Sequence, residues 1–354
     1  MADIPRILGG ITEGMVETPR IASHVLFSGT DGAVPVVFVH GNFSSATFFE
    51  ETMLALPREY RGIAPDMRGY GLTEDKLIDA TRGAADWVDD LDELLNALQV
   101  GRAHLVGWSI GGGIVMAYAL AHPERVLSLT LLAPIAPFGF GGTRGPDGTP
   151  CTPDWAGTGG GTVNRDFIRR IEEHDRSDTD PNSPRNVINA FYYKPPFRAA
   201  REEDFLSAAL LEKTGDDRYP GDSVTTTSWP FVGPGRWGPM NATSAKYFNV
   251  SAFADITPKP PVLWVHGAND LVVSDASMFD LGMLGKFGYV PGYPGDQEYP
   301  PQPMVSQTRA VLDQYQRNGG RYSELLLPDC GHSPHIEKAD DFRAAFHAFL
   351  RAGM

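Results

Sequence analysis

Residues Leu105–Gly113 read L-V-G-W-S-I-G-G-G, and this stretch is the strongest indication of the fold. The apolar run Ala103–Val106 predicts a short buried strand, and Ile114–Leu120 predicts the helix that follows the glycines. Between them, residues 107–111 form a G-x-S-x-G pattern. A strand, this pattern and a helix, in that order, present a serine hydroxyl on a tight turn at the positive end of the helix. We therefore predict that Ser109 is a nucleophile.

Three consecutive glycines open the predicted helix. Each costs about 1 kcal/mol relative to alanine inside a helix, so a steric requirement at this turn is the simplest reason for them. We expect that a side chain at Gly107 or Gly111 would strike the neighbouring strand or helix. The competing interpretation is that Ser109 only caps the helix with its hydroxyl.

The composition predicts one large globular unit. The chain has 354 residues, of which 42% are hydrophobic and 10% aromatic, and this suits one α/β core with an insertion. It contains 30 Lys and Arg against 44 Asp and Glu, a net charge of −14. This charge argues against nucleic acid or an anionic membrane as a partner and fits an uncharged or cationic ligand. The two cysteines, Cys151 and Cys330, define neither a disulfide framework nor a metal site.

The first ten residues, M-A-D-I-P-R-I-L-G-G, lack the apolar segment of a signal peptide. No apolar run reaches the length of a membrane span. We therefore expect a cytoplasmic protein with no membrane partner. Residues 1–20 indicate no particular element, and the sequence predicts nothing about the oligomeric state.

Apolar runs that predict strands alternate along the chain with amphipathic stretches that predict helices. The predicted strands are Ile21–Phe27, Val34–His40, Tyr60–Ala64, Ala103–Val106, Val126–Leu132, Pro261–His266 and Tyr322–Leu327. The predicted helices are Phe48–Leu56, Asp86–Leu98, Ile114–Leu120, Met304–Gln316 and a closing helix whose buried face runs from Phe342 to Leu350. This alternation predicts an α/β fold with a mostly parallel sheet and helices on both faces.

The alternation is interrupted between residues 136 and 255. Gly139–Gly161 is rich in Gly, Pro and Thr, and three later stretches have helical character: Val163–His174, Asn186–Tyr193 and Arg201–Lys213. We predict a core made of residues 1–135 and 256–354, with residues 136–255 inserted as a mainly helical cap. Residues 288–303 hold five prolines and three glycines and predict a long loop with a function.

A serine hydroxyl needs a base that takes its proton and a third group that orients the base. The order expected on this architecture is serine, acid, histidine. His332 is the predicted base because it lies between the last strand and the last helix, and His335 is the alternative. Asp270, just past Val262–His266, is the predicted acid. The alternatives Asp255, Asp275 and Asp280 lie less directly after a strand.

A tetrahedral intermediate also needs two main-chain N–H donors. One is predicted to be the N–H of Ile110, the residue after the nucleophile. The other should come from the loop after Val34–His40, with Asn42 as the prediction and Phe43 as the alternative. Ligands in such sheets bind beyond the carboxyl ends of the strands, so these separate segments are expected to meet there.

Five motifs carry a resemblance to a known family. They read V-F-V-H-G-N, A-P-D-M-R-G-Y-G, H-L-V-G-W-S-I-G-G-G, V-L-W-V-H-G-A-N-D and L-P-D-C-G-H-S-P-H-I-E. In this order and spacing the chain resembles the α/β-hydrolase superfamily, in its capped branch, over roughly residues 20–135 and 255–354. The resemblance implies the α/β-hydrolase fold and a Ser-His-Asp triad that needs no cofactor and no metal.

Two further features narrow the set of activities that the resemblance implies. Asn42 and Trp108 are similar to the Asn and Trp that hold the halide in haloalkane dehalogenases. Those enzymes, like epoxide hydrolases, have Asp where this chain has Ser109, so neither activity is expected. The triple glycine Gly111–Gly113 is similar to bacterial arylesterases once described as cofactor-free haloperoxidases, which implies perhydrolysis as a side activity.

The resulting hypothesis is a serine hydrolase that cleaves a carboxylic ester or lactone through an acyl-enzyme. Aromatic residues predict an apolar or aromatic substrate, with Phe43, Trp108, Tyr192 and Trp229 as the pocket residues. The alternative is that these rings only form packed core. Amide, C–C bond or iminopeptidase-type hydrolysis with the same triad stays open, as does a non-catalytic ligand receptor on the same fold.

Overall fold

The computed structural model describes residues 3–352, and its centre is one eight-stranded sheet. The strands are β1 (Thr12–Glu17), β2 (Ala22–Ser28), β3 (Val34–Val39), β4 (Tyr60–Pro65), β5 (Ala103–Trp108), β6 (Val126–Leu132), β7 (Val262–Gly267) and β8 (Tyr322–Leu327). Their order across the sheet is β1-β2-β4-β3-β5-β6-β7-β8. The first two strand pairings are antiparallel and the rest are parallel.

Eleven α-helices lie within residues 3–352. They are α1 (Glu50–Leu54), α2 (Ala85–Ala97), α3 (Ile110–Ala121), α4 (Arg165–Glu172), α5 (Pro184–Val187), α6 (Glu202–Ala209), α7 (Pro239–Ala242), α8 (Leu281–Lys286), α9 (Met304–Arg317), α10 (Pro334–Glu337) and α11 (Ala339–Ala352). Helices α2, α3 and α9 bury their apolar sides against one face, and α1 and α11 bury theirs against the other. Because both faces are covered, every residue of β5 is buried. The predicted fold class is confirmed.

The sequence interpretation missed β1, which lies inside the stretch 1–20. This edge strand reads T-E-G-M-V-E and is largely exposed, so it has no apolar run to reveal it. Its pairing with β2 is what makes it a strand. The predicted helix Phe48–Leu56 is also shorter than expected, because a 3₁₀ turn at Ala46–Phe49 precedes α1.

The segment between β6 and β7 is less helical than the sequence predicted. Its helices α4 and α6 have eight residues each and α5 and α7 four, with a π-helical turn at Ile188–Tyr192. Three two-stranded pairs and irregular chain make up the remainder. Among the described residues, no helix combines the length and apolar character needed to cross a membrane.

Candidate active site

Ser109 stands directly after β5 in a strained backbone conformation, with φ 57° and ψ −121°. Such angles cost a non-glycine residue about 1–3 kcal/mol. The surroundings impose them, because Ser109 N donates to Leu132 O over 2.9 Å while Ile135 N donates to Ser109 O, also over 2.9 Å. The side chain makes no capping hydrogen bond to α3. The interpretation of Ser109 as a helix cap is therefore wrong, and its hydroxyl is left for another role.

The glycines around Ser109 are required by close approach, as predicted. A Cβ atom at Gly107 would lie 2.2 Å from Gly111 O, and one at Gly111 would lie 2.1 Å from Val39 O. Both contacts are with backbone, which cannot move aside as a flexible side chain can. The strand, the turn and the helix thus touch one another at glycine, and a larger residue would force them apart.

Asp270 and His332 form a buried pair at the ends of the neighbouring parallel strands β7 and β8. His332 Nδ1 lies 2.8 Å from Asp270 Oδ2, and each side chain is only 2% exposed. The other carboxylate oxygen, Oδ1, accepts from Val272 N at 2.7 Å and from Val273 N at 3.0 Å. These bonds fix the carboxylate, and with Nδ1–H donating, His332 Nε2 is left as an acceptor.

The two loops that carry this pair are joined by main-chain bonds. Asn269 N donates to Cys330 O and Ala268 N donates to Leu327 O, each over 2.9 Å. The acid and the histidine are therefore held by one rigid connection between strand ends.

Trp108 connects the loop of His332 to Ser109. Its indole Nε1 donates to the main-chain oxygen of His332 over 2.8 Å, and the two rings lie 5.6 Å apart. Its ring is fully buried and stacks on Phe48, with centroids 5.4 Å apart. The residue next to Ser109 thus holds the loop of His332 directly.

The loop after β3 passes beside Ser109, since a Cβ atom at Gly41 would lie 3.0 Å from Ser109 Cβ. Tyr192, on the π-helical turn, donates its hydroxyl to Asn42 O over 2.6 Å and to Phe43 O over 3.3 Å. Within residues 3–352, the main-chain N–H groups of Asn42, Phe43 and Ile110 have no hydrogen-bond acceptor. Unpaired N–H groups beside a serine hydroxyl can stabilise an oxyanion.

The alternative base, His335, lies in a different environment. Its ring packs flat on Phe49 with centroids 4.9 Å apart, and burial lowers its pKa to about 3. A histidine with this pKa stays neutral and accepts a proton poorly. Two other histidines that end strands bond to neighbouring groups: His40 bonds to Gly41 O and Met67 N, and His266 bonds to Glu324.

The four predicted pocket residues lie in different environments. Tyr192 and Phe43 lie at the site, as described above. Trp108 has no exposed surface and its N–H is already bonded, so it neither lines a cavity nor holds a halide. Trp229 packs instead against the 288–303 loop, with its ring 5.0 Å from that of Tyr299 and Nε1 donating to Pro291 O. For Trp108 and Trp229 the pocket prediction is wrong, because packing elsewhere uses their surfaces.

The sequence interpretation did not identify Tyr70 as a residue of the candidate site. The Tyr70 hydroxyl donates to Asn42 Oδ1 over 2.9 Å and so helps to orient the loop beside Ser109. Nothing in the local pattern around Tyr70 identifies this contact, because the two residues meet only through the sheet order.

A family model described as alpha/beta hydrolase fold matches residues 34–281. The chain belongs to the α/β-hydrolase family. The match includes β3, the turn at Ser109 and Asp270, and members of this family are hydrolases. The resemblance seen in the sequence is thereby confirmed.

Curated relatives of this α/β hydrolase match it over part of their length. A 2-hydroxymuconate semialdehyde hydrolase of Pseudomonas sp. (strain CF600) is 35% identical over 125 residues, which are 32% of this chain and 44% of that protein. An uncharacterized carboxylesterase, nap, of Bacillus subtilis (strain 168) is 31% identical over 117 residues, 33% of this chain and 38% of the relative. The chain thus spans less than half the length of these relatives.

A solved structure extends the likeness to nearly the whole chain. The 2-hydroxy-6-oxo-6-phenylhexa-2,4-dienoate hydrolase of Rhodococcus sp. strain RHA1 covers 96% of this chain and 99% of its own, with a TM-score of 0.63. The sequence identity is 16%, so this likeness concerns the fold alone.

The Trp108 contact leads to a testable prediction. Trp108→Phe keeps an aromatic ring on Phe48 but removes the donor to His332 O, so we expect kcat to fall about tenfold with a smaller change in KM. Trp87→Phe is the matched control, because Trp87 Nε1 also donates to a buried carbonyl, Arg68 O, on the far side of the sheet. Both variants should lose about 1–2 kcal/mol of unfolding free energy. Equal kcat values in the two variants would show that Trp108 has only a structural role.

Proposed function

We propose that this α/β hydrolase is a cofactor-free serine hydrolase of carboxylic esters, lactones included. Ser109 is the nucleophile, His332 the base and Asp270 the acid. The observation that carries the proposal is the buried His332–Asp270 pair, with Nδ1 and Oδ2 2.8 Å apart, tied through Trp108 to a serine in a strained turn. This is the set of roles that serine hydrolysis requires.

The proposed reaction has two halves. Ser109 Oγ attacks the ester carbonyl carbon while His332 Nε2 takes the hydroxyl proton, and the imidazolium then gives that proton to the leaving alkoxide. Water attacks the acyl-enzyme in the same way and frees the acid. Asp270 orients the imidazole and stabilises its charge. The N–H groups of Ile110 and of Asn42 or Phe43 hold the oxyanion in each half.

We propose that residues 136–255 act as the cap over this site. Tyr192 supports this role, because it bonds to the loop beside Ser109 while its ring lies 6.0 Å from that of His332. The ring of Phe167 on α4 likewise stands edge-on to that of Phe43, with centroids 5.0 Å apart. Closure of such a segment excludes water and selects the substrate.

Hydrolysis of a C–C bond is the second candidate, because a 35% identical relative is a 2-hydroxymuconate semialdehyde hydrolase. The same three residues could serve it. A panel of p-nitrophenyl esters, lactones, aminoacyl amides and a 2-hydroxy-6-oxo-dienoate separates the activities by kcat/KM. A fluorophosphonate probe that labels Ser109 would support either hydrolase. A probe that leaves Ser109 unlabelled would favour the non-catalytic receptor.

Tyr192 provides a test of how the cap segment supports the chemistry. Tyr192→Phe removes both hydroxyl bonds to the Asn42–Phe43 loop, so we expect kcat/KM to fall about tenfold and the ranking of acyl-chain lengths to change. Trp229→Phe serves as the control, because Trp229 packs against the 288–303 loop and should leave both quantities unchanged. Steady-state kinetics on an ester series measures both. A change in ranking for Trp229→Phe alone would relocate the pocket to that loop.

A further inference from the structure

Glu212 is buried without a partner. The residue lies shortly after the end of α6 and is 8% exposed. Neither carboxylate oxygen accepts or donates a hydrogen bond within the described residues. Buried polar groups in folded proteins are almost always paired, and an unpaired carboxyl costs free energy. A group kept at such a cost calls for an explanation outside the packing of the fold.

Glu212 lies among the tyrosines that surround Asn42. The next residue, Lys213, donates its Nζ to Thr73 O over 2.6 Å, and its main-chain oxygen accepts from Tyr219 N over 2.9 Å. After burial itself, the charge of Glu212 is the largest cause that raises the pKa of the Tyr70 and Tyr219 hydroxyls. Tyr70 in turn bonds to Asn42, so one of the tyrosines on which the Glu212 charge acts contacts the loop beside Ser109.

The electrostatics of this cluster favour a positive ligand. Lys213 is the charged group that acts most on Glu212, but its ammonium donates to Thr73 O and makes no bond to the carboxyl. The hydroxyls of Tyr70, Tyr192 and Tyr219 stay neutral, because burial raises the pKa of each. The cluster therefore offers oxygen acceptors and aromatic rings to a ligand that brings its own charge.

We propose that Glu212, with Tyr70 and Tyr219, forms the subsite for a protonated amine carried on the acyl part of the substrate. This inference rests on the proposed function and specifies its substrate class. The carboxyl pairs with the ammonium, and the tyrosine oxygens and rings surround it. The net charge of −14 favours the approach of such a cation.

The pairing moves one proton. Burial raises the pKa of Glu212 well above its usual range and so favours the protonated carboxyl in the unliganded protein. When the ammonium binds, the carboxyl gives its proton to solvent and an ammonium–carboxylate pair forms. Binding therefore strengthens as the pH rises towards the pKa of Glu212 in the folded protein, and it levels off above it.

The first test compares esters that differ only in this group. Three p-nitrophenyl esters carry an amine: 2-aminopropanoate, 6-aminohexanoate and 8-aminooctanoate. Each is compared with the ester in which a methyl group replaces the amine, namely isobutyrate, heptanoate and nonanoate, respectively. We expect kcat/KM to favour the amine roughly 10- to 100-fold in at least one pair. Glu212→Gln should remove most of that preference. Glu172→Gln, an exposed glutamate of the same segment, should retain it.

The second test measures binding without hydrolysis. Calorimetry of n-hexylammonium chloride and of 1-hexanol with the wild-type protein should show tighter binding of the amine, weakened roughly tenfold or more by Glu212→Gln. Titrations in two buffers of different ionisation enthalpy should reveal the release of a proton. Amine binding without ester hydrolysis would refute the proposed function and support the subsite. Ester hydrolysis with no amine preference and no amine binding would refute the subsite alone.

Folding of Glu212→Gln is checked by its thermal midpoint. A carboxyl whose pKa is raised in the folded state destabilises the fold above its ordinary pKa, where the unfolded chain ionises and the folded chain does not. The variant should therefore have a higher midpoint than wild type at pH 8 and an equal one at pH 4. An equal midpoint at pH 8 would show that the Glu212 carboxyl is already paired, and this would contradict the proposal.

Discussion

Ser109→Ala should reduce kcat by about 10,000-fold or more on the best ester, because the members of a triad act as a unit. The loss of the Oγ atom removes the group proposed to attack the carbonyl, and the N–H groups beside it can give only a small residual rate. The backbone angles of residue 109 are set by bonds to Leu132 and Ile135 that do not involve the side chain. The variant should therefore fold normally and fail to react with a fluorophosphonate.

A matched control separates chemistry from folding. Ser323→Ala removes the same atom from an exposed position on β8 and should keep wild-type kinetics. Retention of more than a tenth of the wild-type kcat by Ser109→Ala would be incompatible with Ser109 as the nucleophile.

His332→Ala should match Ser109→Ala in severity, a loss of about 10,000-fold in kcat, since the proposed mechanism gives the serine hydroxyl no other base. The contact with Asp270 is what distinguishes His332 from the other histidines. The variant also leaves Asp270 without its histidine partner, so some loss of stability is expected. Thermal unfolding and single-turnover kinetics distinguish this loss from the catalytic one.

His335→Ala is the comparison for this prediction. It empties a site between Phe49 and Trp108 and should cost about 2–4 kcal/mol of stability, yet retain far more activity than His332→Ala at temperatures where it is folded. If His335→Ala proved the more damaging to kcat, the base would have to be His335 and the Asp270 contact would be structural.

Local sequence patterns were sufficient to predict the parallel core and the turn at Ser109. Long apolar runs identify β3, β5, β6 and β7, because a strand covered on both faces consists mostly of apolar residues. The turn is equally local: Gly107 and Gly111 are required by atoms a few residues away in the chain or on the adjoining strand. Interactions between residues this close in the chain can therefore be predicted from local sequence patterns.

The side chains that surround that turn come from distant segments, and local patterns do not predict them. The bond between Trp108 and His332 joins residues 224 positions apart, and the bond between Tyr192 and Asn42 spans 150. Residue type made Trp108 and Trp229 look like pocket residues, but packing buried one and carried the other to the 288–303 loop. Local sequence patterns likewise did not predict the exposed edge strand β1 or the unpaired Glu212. A pattern in the sequence shows that a side chain will be buried, whereas only the packing of distant segments fixes what it is buried against.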